Sequence, residues 1–183
     1  MVNVKPSNLH PSNTMTATPH HTTHRFFIVG YGNPLRGDDG VGLQVARTVS
    51  SWQVPSVKAL SVQQLLPELA VEIATADYVI FVDAGGKSGA STLCLEPIVT
   101  TQATPTLNHV CDPAALVALT QRLYGHHPQA WLLQIPTERF ELGGVFSETA
   151  KQGVDSALRT IEQFLTTYRQ PAFTSGAPCT KSA

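Results

Sequence analysis

Charge is scarce in this chain: Asp, Glu, Lys and Arg make up 14% of its 183 residues and nearly cancel, leaving a formal net charge of −1. Such a balance supplies no bulk attraction for nucleic acid or for an anionic membrane surface. Long apolar runs are missing as well, and none approaches the ~20 residues that span a bilayer. The first 24 residues have no apolar core of the signal-peptide kind, which argues against export by that route. Cysteine is sparse: Cys94, Cys111 and Cys179 are odd in number and lack C-x-x-C spacing. That excludes a local zinc clasp and leads us to expect reduced thiols in a cytoplasmic protein. Also absent are H-E-x-x-H, G-x-S-x-G, a Cys–His signature and the D-T/S-G triplets of pepsin-like proteases. Nothing therefore suggests a covalent nucleophile or a pepsin-type dyad.

What is present is an alternation of strand and helix patterns between two loose ends. Residues 1–24, rich in Thr, Ser, Asn, Pro and His, read as a disordered tail, and residues 170–183 as a second flexible tail. His10, His20, His21 and His24 have no carboxylate or cysteine at ligand spacing, so loose surface histidines are the simpler account. Residues 25–169 read as one domain, long enough to bury a proper core. Strands are expected at 26–31, 57–62, 78–82, 91–99 and 131–135. The run Tyr78-Val79-Ile80-Phe81-Val82 is apolar throughout and predicts a central parallel strand, while Pro97 favours an edge position for the strand near it. Helices are expected at 40–51, with Val41, Val45 and Val49 inward, and at 64–75, with Leu65, Leu66, Leu69 and Ile73 inward and Pro67 in the first turn. A third helix is bracketed by Asp112 as N-cap, Pro113 and Gly125, with Leu116, Leu119 and Leu123 as its stripe. Ser147 caps the last helix, whose inward face is Val154, Leu158, Ile161 and Leu165. Right-handed crossovers then give a three-layer α/β/α domain around a twisted, mostly parallel five-stranded sheet with helices on both faces.

One stretch organises the rest: Gly30-Tyr31-Gly32-Asn33-Pro34-Leu35-Arg36-Gly37-Asp38-Asp39-Gly40-Val41-Gly42, a glycine-rich loop between the first strand and the first helix. Such a loop usually cradles phosphate. Here Leu35 stands where a dinucleotide fingerprint needs its third glycine, Asp38 and Asp39 stand where a P-loop needs Lys-Ser/Thr, and two carboxylates would repel an anion. The loop suits a cation instead, or carboxylate chemistry on a peptide or sugar. One carboxylate suffices to cap a helix, so we expect Asp38 to cap or brace the loop and Asp39 to be the working residue.

Ligands of open α/β sheets bind beyond the carboxyl ends of the strands. Asp39 after the first strand, Asp83 at the end of the central strand and His109 ahead of the third helix all fall there. Each also has a structural reading: a helix cap, a loop brace, a histidine bonded to a backbone carbonyl. Convergence of the three on one crevice favours a site, and two carboxylates with an imidazole suit a borderline divalent ion such as Ni²⁺, Zn²⁺, Co²⁺ or Mn²⁺. Cys111, two residues from His109, is expected to be a small buried side chain, and His126 and His127 a solvated loop.

The Gly30–Gly42 motif, the Leu65-Leu66-Pro67-Glu68-Leu69 segment leading to Phe81-Val82-Asp83-Ala84, and His109 ahead of a helix ending Leu123-Tyr124-Gly125 resemble the hydrogenase maturation endopeptidases over residues 26–168. The resemblance implies a hydrolase, an endopeptidase of the kind customarily grouped as aspartic-type, that removes a C-terminal extension from the nickel-loaded large-subunit precursor of a nickel-iron hydrogenase. It implies Asp39, Asp83 and His109 as nickel contacts, Asp39 and Asp83 as the catalytic carboxylates, and Gly32, Asn33, Asp38 and Gly40 as supports of the loop. Nickel would arrive with the substrate, and another divalent ion such as Zn²⁺ or Cd²⁺ could occupy the site. Some members carry Glu where this chain has Asp39. The precursor is the expected partner, a monomer the expected state, and nucleic acid and membranes are not expected partners. Two alternatives stand beside this: a non-catalytic nickel-checking chaperone of the large subunit, and a same-fold peptidase, spore-protease-like, with another protein substrate.

Overall fold

The structure, a computed structural model, describes residues 24–85, 92–99 and 112–169. The two expected tails and the segment carrying His109 and Cys111 lie outside the described residues. His24, at the expected tail boundary, sets its ring edge-on against Tyr78 at 5.2 Å.

The chain runs β1 (Phe26–Tyr31), α1 (Val41–Ser51), β2 (Val57–Val62), α2 (Ala70–Ile73), β3 (Tyr78–Ala84), β4 (Cys94–Pro97), α3 (Pro113–Tyr124), β5 (Gln129–Ile135) and α4 (Glu148–Arg169). The five strands order as β2-β1-β3-β5-β4, all parallel except β4, which runs antiparallel at the edge. Pro97 has no N–H to give a ladder, and its place on that edge strand follows.

Period-two alternation divides the side chains of the central strands between two cores. Phe26, Ile28, Ile80 and Val82 meet the valine face of α1 and the Val154, Ala157, Ile161 and Leu165 face of α4. Phe27, Val29, Val79 and Phe81 meet Leu65, Leu69, Ile73, Leu116 and Val117 from the α2 and α3 side. Burial on both faces explains the unbroken apolar run of β3.

Two expectations need correction. The helix expected over 64–75 is a 3-10 turn at Pro67–Leu69 followed by the four-residue α2. Proline disfavours the helical region for its predecessor, and Leu66 is extended at φ −113°, ψ 151°, so the helix can begin only at Pro67. Leu65 reaches the core from that extended segment, while Leu66 is 45% exposed. In α3 the predicted cap holds, since the Asp112 side chain accepts from the Ala115 N–H at 2.7 Å and Gly125 ends the helix at φ 75°. Of its expected stripe Leu116 is buried and Leu119 packs half-buried on the same core, joined by Val117 and Thr120, but Leu123 is 61% exposed. Leucine periodicity marked the helix correctly but continued past the point where α2, one turn long, offers a partner.

Candidate functional site

The chain passes from β1 to β2 on one side and later to β3 on the other, so the strand order reverses between β1 and β3. Crevices of doubly wound sheets open at such a reversal, beyond the carboxyl ends. Asp39 and Asp83 both lie there.

Close backbone approach sets the Asp39 loop on the rim. A Cβ on Gly30 would sit 1.8 Å from the Gly42 carbonyl oxygen, so α1 crosses β1 with only backbone between them. Gly32, at φ 136°, turns the chain where a Cβ would fall 1.9 Å from the Asp39 oxygen. The 3-10 turn Gly37–Gly40 follows and carries both acidic residues.

Those two carboxylates do different work. Asp38 is completely buried and does not cap α1. Its Oδ2 accepts from the Glu138 N–H at 2.8 Å, the Arg139 N–H at 2.9 Å and the Ser147 hydroxyl at 2.7 Å, and its Oδ1 accepts from the Ser147 N–H at 2.7 Å. In return the Asp38 N–H donates to the Arg139 carbonyl at 2.8 Å. The Ser147 hydroxyl also accepts from the Ala150 N–H, capping α4. Burial alone would raise the Asp38 pKa, but the donors from Glu138, Ser147 and Arg139 outweigh it and hold the carboxyl below its ordinary range. Asp38 thus braces the Gly37–Gly40 turn against residues 138–147, and the first-helix cap among its expected roles is not made.

Asp39 is half-buried, and among the described residues only its Oδ2 is engaged, accepting from the Asn33 N–H at 3.1 Å. Asn33 is itself fixed by an Asx turn, its Oδ1 accepting from the Leu35 N–H at 3.0 Å. Gly40 is buried against Pro34 and Phe146. Gly32, Asn33, Asp38 and Gly40 therefore all hold the loop that carries Asp39.

Asp83, expected at the end of the central strand, is the next-to-last residue of β3, in register with Gln134 of β5. Its Oδ1 accepts from the Ala84 N–H at 2.8 Å. Burial pushes its pKa up and the Asp39 charge adds to that, while hydrogen bonds from the Tyr31 hydroxyl and the Ala84 N–H oppose it. The Asp39 charge is thus felt at Asp83, and both carboxylates stand at the carboxyl-end rim of the sheet.

Tyr31 was passed over in the sequence as the variable residue between two glycines. It ends β1 beside Asp83 on the α2/α3 side, and its pKa is raised by burial and by the charges of Asp83 and Asp112. The only signal for it was positional: an aromatic with a polar tip at a carboxyl-end strand terminus. The charge of Asp112, at the start of α3, is thus felt at Tyr31, and His109 stands three residues before Asp112 in the sequence. Among the described residues no three His, Cys, Asp or Glu side chains form a metal-sized cluster. Two hard oxygen donors are available from Asp39 and Asp83, and the expected imidazole lies outside the described residues. Cys94, half-buried on the edge strand, is a free thiol with Glu96 as its acceptor at 3.3 Å. No helix of the described residues is long and apolar enough to cross a membrane.

No protein-family model matches the chain, and no curated protein sequence does. Solved structures do. The NiFe hydrogenase maturation protease HycI of Thermococcus kodakarensis superposes with a TM-score of 0.64 at 23% identity, over 78% of this chain and 93% of that one. The hydrogenase maturating endopeptidase HybD of Escherichia coli gives 0.62 at 20% identity, over 79% and 93%. A hydrogenase 2 maturation peptidase from a Thaumarchaeota archaeon gives 0.59 at 22% identity, over 78% and 98%. This chain is built on the fold of the hydrogenase maturation proteases.

Proposed function

We propose that this chain is an endopeptidase that removes the C-terminal extension of a nickel-loaded nickel-iron hydrogenase large-subunit precursor. The observation that carries the reading is the placement of Asp39 and Asp83 on one rim at the strand-order reversal, on a fold shared with proteins named as hydrogenase maturation proteases and endopeptidases.

Physical chemistry connects the pair to the discrimination such an enzyme needs. The Asp39 charge makes ionisation of Asp83 harder. A divalent cation between the two carboxylates turns that repulsion into attraction. Nickel carried by the precursor is thus part of the substrate, and a precursor without it meets two anions that repel one another. Asp39, Asp83 and His109 contact the metal. Hydrolysis then needs a water, and a carboxylate oxygen of the pair left free by the metal takes its proton as the hydroxide adds to the scissile carbonyl. The same proton passes to the departing amine.

The test is incubation of the purified full chain with precursor prepared with and without nickel, read by mass spectrometry. Only the loaded precursor is expected to shorten. Persistent binding without shortening would make the protein a checking chaperone, and equal cleavage of both forms would remove nickel from the recognition step.

A further inference from the structure

The residues in register with Asp83 form a row across the carboxyl rim of the sheet. The β1–β3 ladder ends at Gly30 paired with Val82, so Tyr31 and Asp83 are the next residues of the two strands, and Tyr31 pairs with Val62 on β2. Tyr31 and Val62 both pack on the α2/α3 side. On the other flank of Asp83 the row continues through Gln134 to Cys94, both polar. The apolar end is therefore the β2 end.

A cavity of about 430 Å³ opens at that end, lined by Val62, Gln63, Gln64, Leu66, Glu68 and Leu69. Leu69 is buried and Val62 half-buried, so they form its floor, while Gln63, Gln64 and Glu68 are exposed at its edge. Leu66 lines it with nearly half its surface open, held there because Pro67 keeps it extended and off the helix. A second cavity among the described residues, about 230 Å³, lies at the opposite, amino end of β1 and β2 around Arg25 and Val57.

We infer that the cavity between Val62 and Leu69 is the subsite that receives an apolar side chain of the polypeptide substrate, a few residues from the bond cleaved at Asp39 and Asp83. The inference rests on the endopeptidase reading, and continuity of the row carries it. Two strand spacings separate Asp83 from Val62, about 10 Å, and an extended chain rising about 3.3 Å per residue covers that in about three residues. A substrate crossing the rim would lie over Tyr31 on the way. The apolar floor with amide and carboxylate groups at the edge suits an aliphatic or aromatic side chain whose backbone stays hydrated.

Leu66→Asp tests this, because Leu66 is exposed enough to change without opening the core. The KM for loaded precursor should rise about tenfold or more, the scale of one apolar side chain losing its burial, with kcat within about twofold. Leu66→Ala should move KM the same way to a smaller degree and guards against misfolding of the Asp variant. Val71→Asp, on α2, exposed and outside the cavity lining, should leave KM unchanged. Replacing precursor residues near the cut by Asp one at a time should reveal one position that matters for the wild type and ceases to matter for Leu66→Asp. An unchanged KM in both Leu66 variants overturns the subsite while leaving the peptidase intact. If the wild type binds precursor without shortening it, the same variants are read by fluorescence anisotropy. Weakened binding then upholds the subsite although the peptidase reading falls, and unchanged binding overturns both.

Discussion

Replacing Asp38 by Asn removes a charge from a fully buried carboxylate without changing its shape, and its cost can be worked from four hydrogen bonds. The best orientation puts the amide oxygen where Oδ2 was, keeping the Glu138 and Arg139 N–H groups and the Ser147 hydroxyl. The amide NH₂ then faces the Ser147 N–H, donor against donor, which costs about 1–3 kcal/mol for the stranded buried group. The three retained bonds fall from charge-assisted to neutral strength, about 1 kcal/mol each. A neutral amide is less costly to bury than an anion, which takes back part of that sum. The net expectation is about 3 kcal/mol, well above the about 1 kcal/mol of a lost helix cap. For a domain of this size that corresponds to a Tm lower by about 6–12 °C. Circular dichroism melts from pH 3 to 7 give a second check through the sign of the pH dependence. The folded-state pKa of Asp38 is depressed, so its stabilisation is complete above the unfolded carboxylate value of about 3.9 and is lost as pH falls through the lower folded value. The gap between wild type and Asp38→Asn should therefore be widest near neutrality and close in acid. A Tm within about 1 °C of wild type at pH 7 would falsify the bracing role.

Asp83→Asn should abolish processing and yet stabilise the protein. The Asp83 pKa is raised in the folded state, so ionising it weakens the fold as pH climbs above the ordinary carboxylate range, and the Tm advantage of the Asn variant should grow in that direction. Asp39→Asn and His109→Ala should likewise stop the shortening of loaded precursor while leaving the melting curve near wild type; normal processing by either variant would remove that residue from the site. Tyr31→Phe deletes one donor to Asp83, and divalent-ion binding by the free protein, measured by calorimetry, should shift to a different pH midpoint with little change in Tm. Gly42→Ala would put a methyl 2.4 Å from the Val82 oxygen and 2.5 Å from the Tyr31 oxygen, so α1 must lift off the sheet. We expect a loss of about 3 kcal/mol or more, seen in urea denaturation, together with lost processing as the Asp39 turn moves.

The order of strands and helices was legible in the sequence because it depends on local periodicity and punctuation. The apolar run of β3, the Asp112-Pro113 start and Gly125 stop of α3, and the proline of the edge strand each act within a few residues of themselves. The length of α2 was not legible, because leucine spacing records which side chains are wanted inside and not whether they arrive on a helix or from an extended segment such as Leu65. The first motif singled out Asp38 and Asp39 as a pair and set Asp38 to hold the loop, but it could not say what Asp38 holds the loop against. Asp38 is decided by donors a hundred residues later, at Glu138, Arg139 and Ser147, and Asp39 by the Asn33 N–H beside it. By itself, then, the sequence determined an α/β chain with an acidic loop after its first strand, since those are short-range properties of the polymer. Only the tertiary structure decided that Tyr31, Asp83 and Val62 share one row at the rim, because strand register is a contact between distant segments that no local pattern encodes.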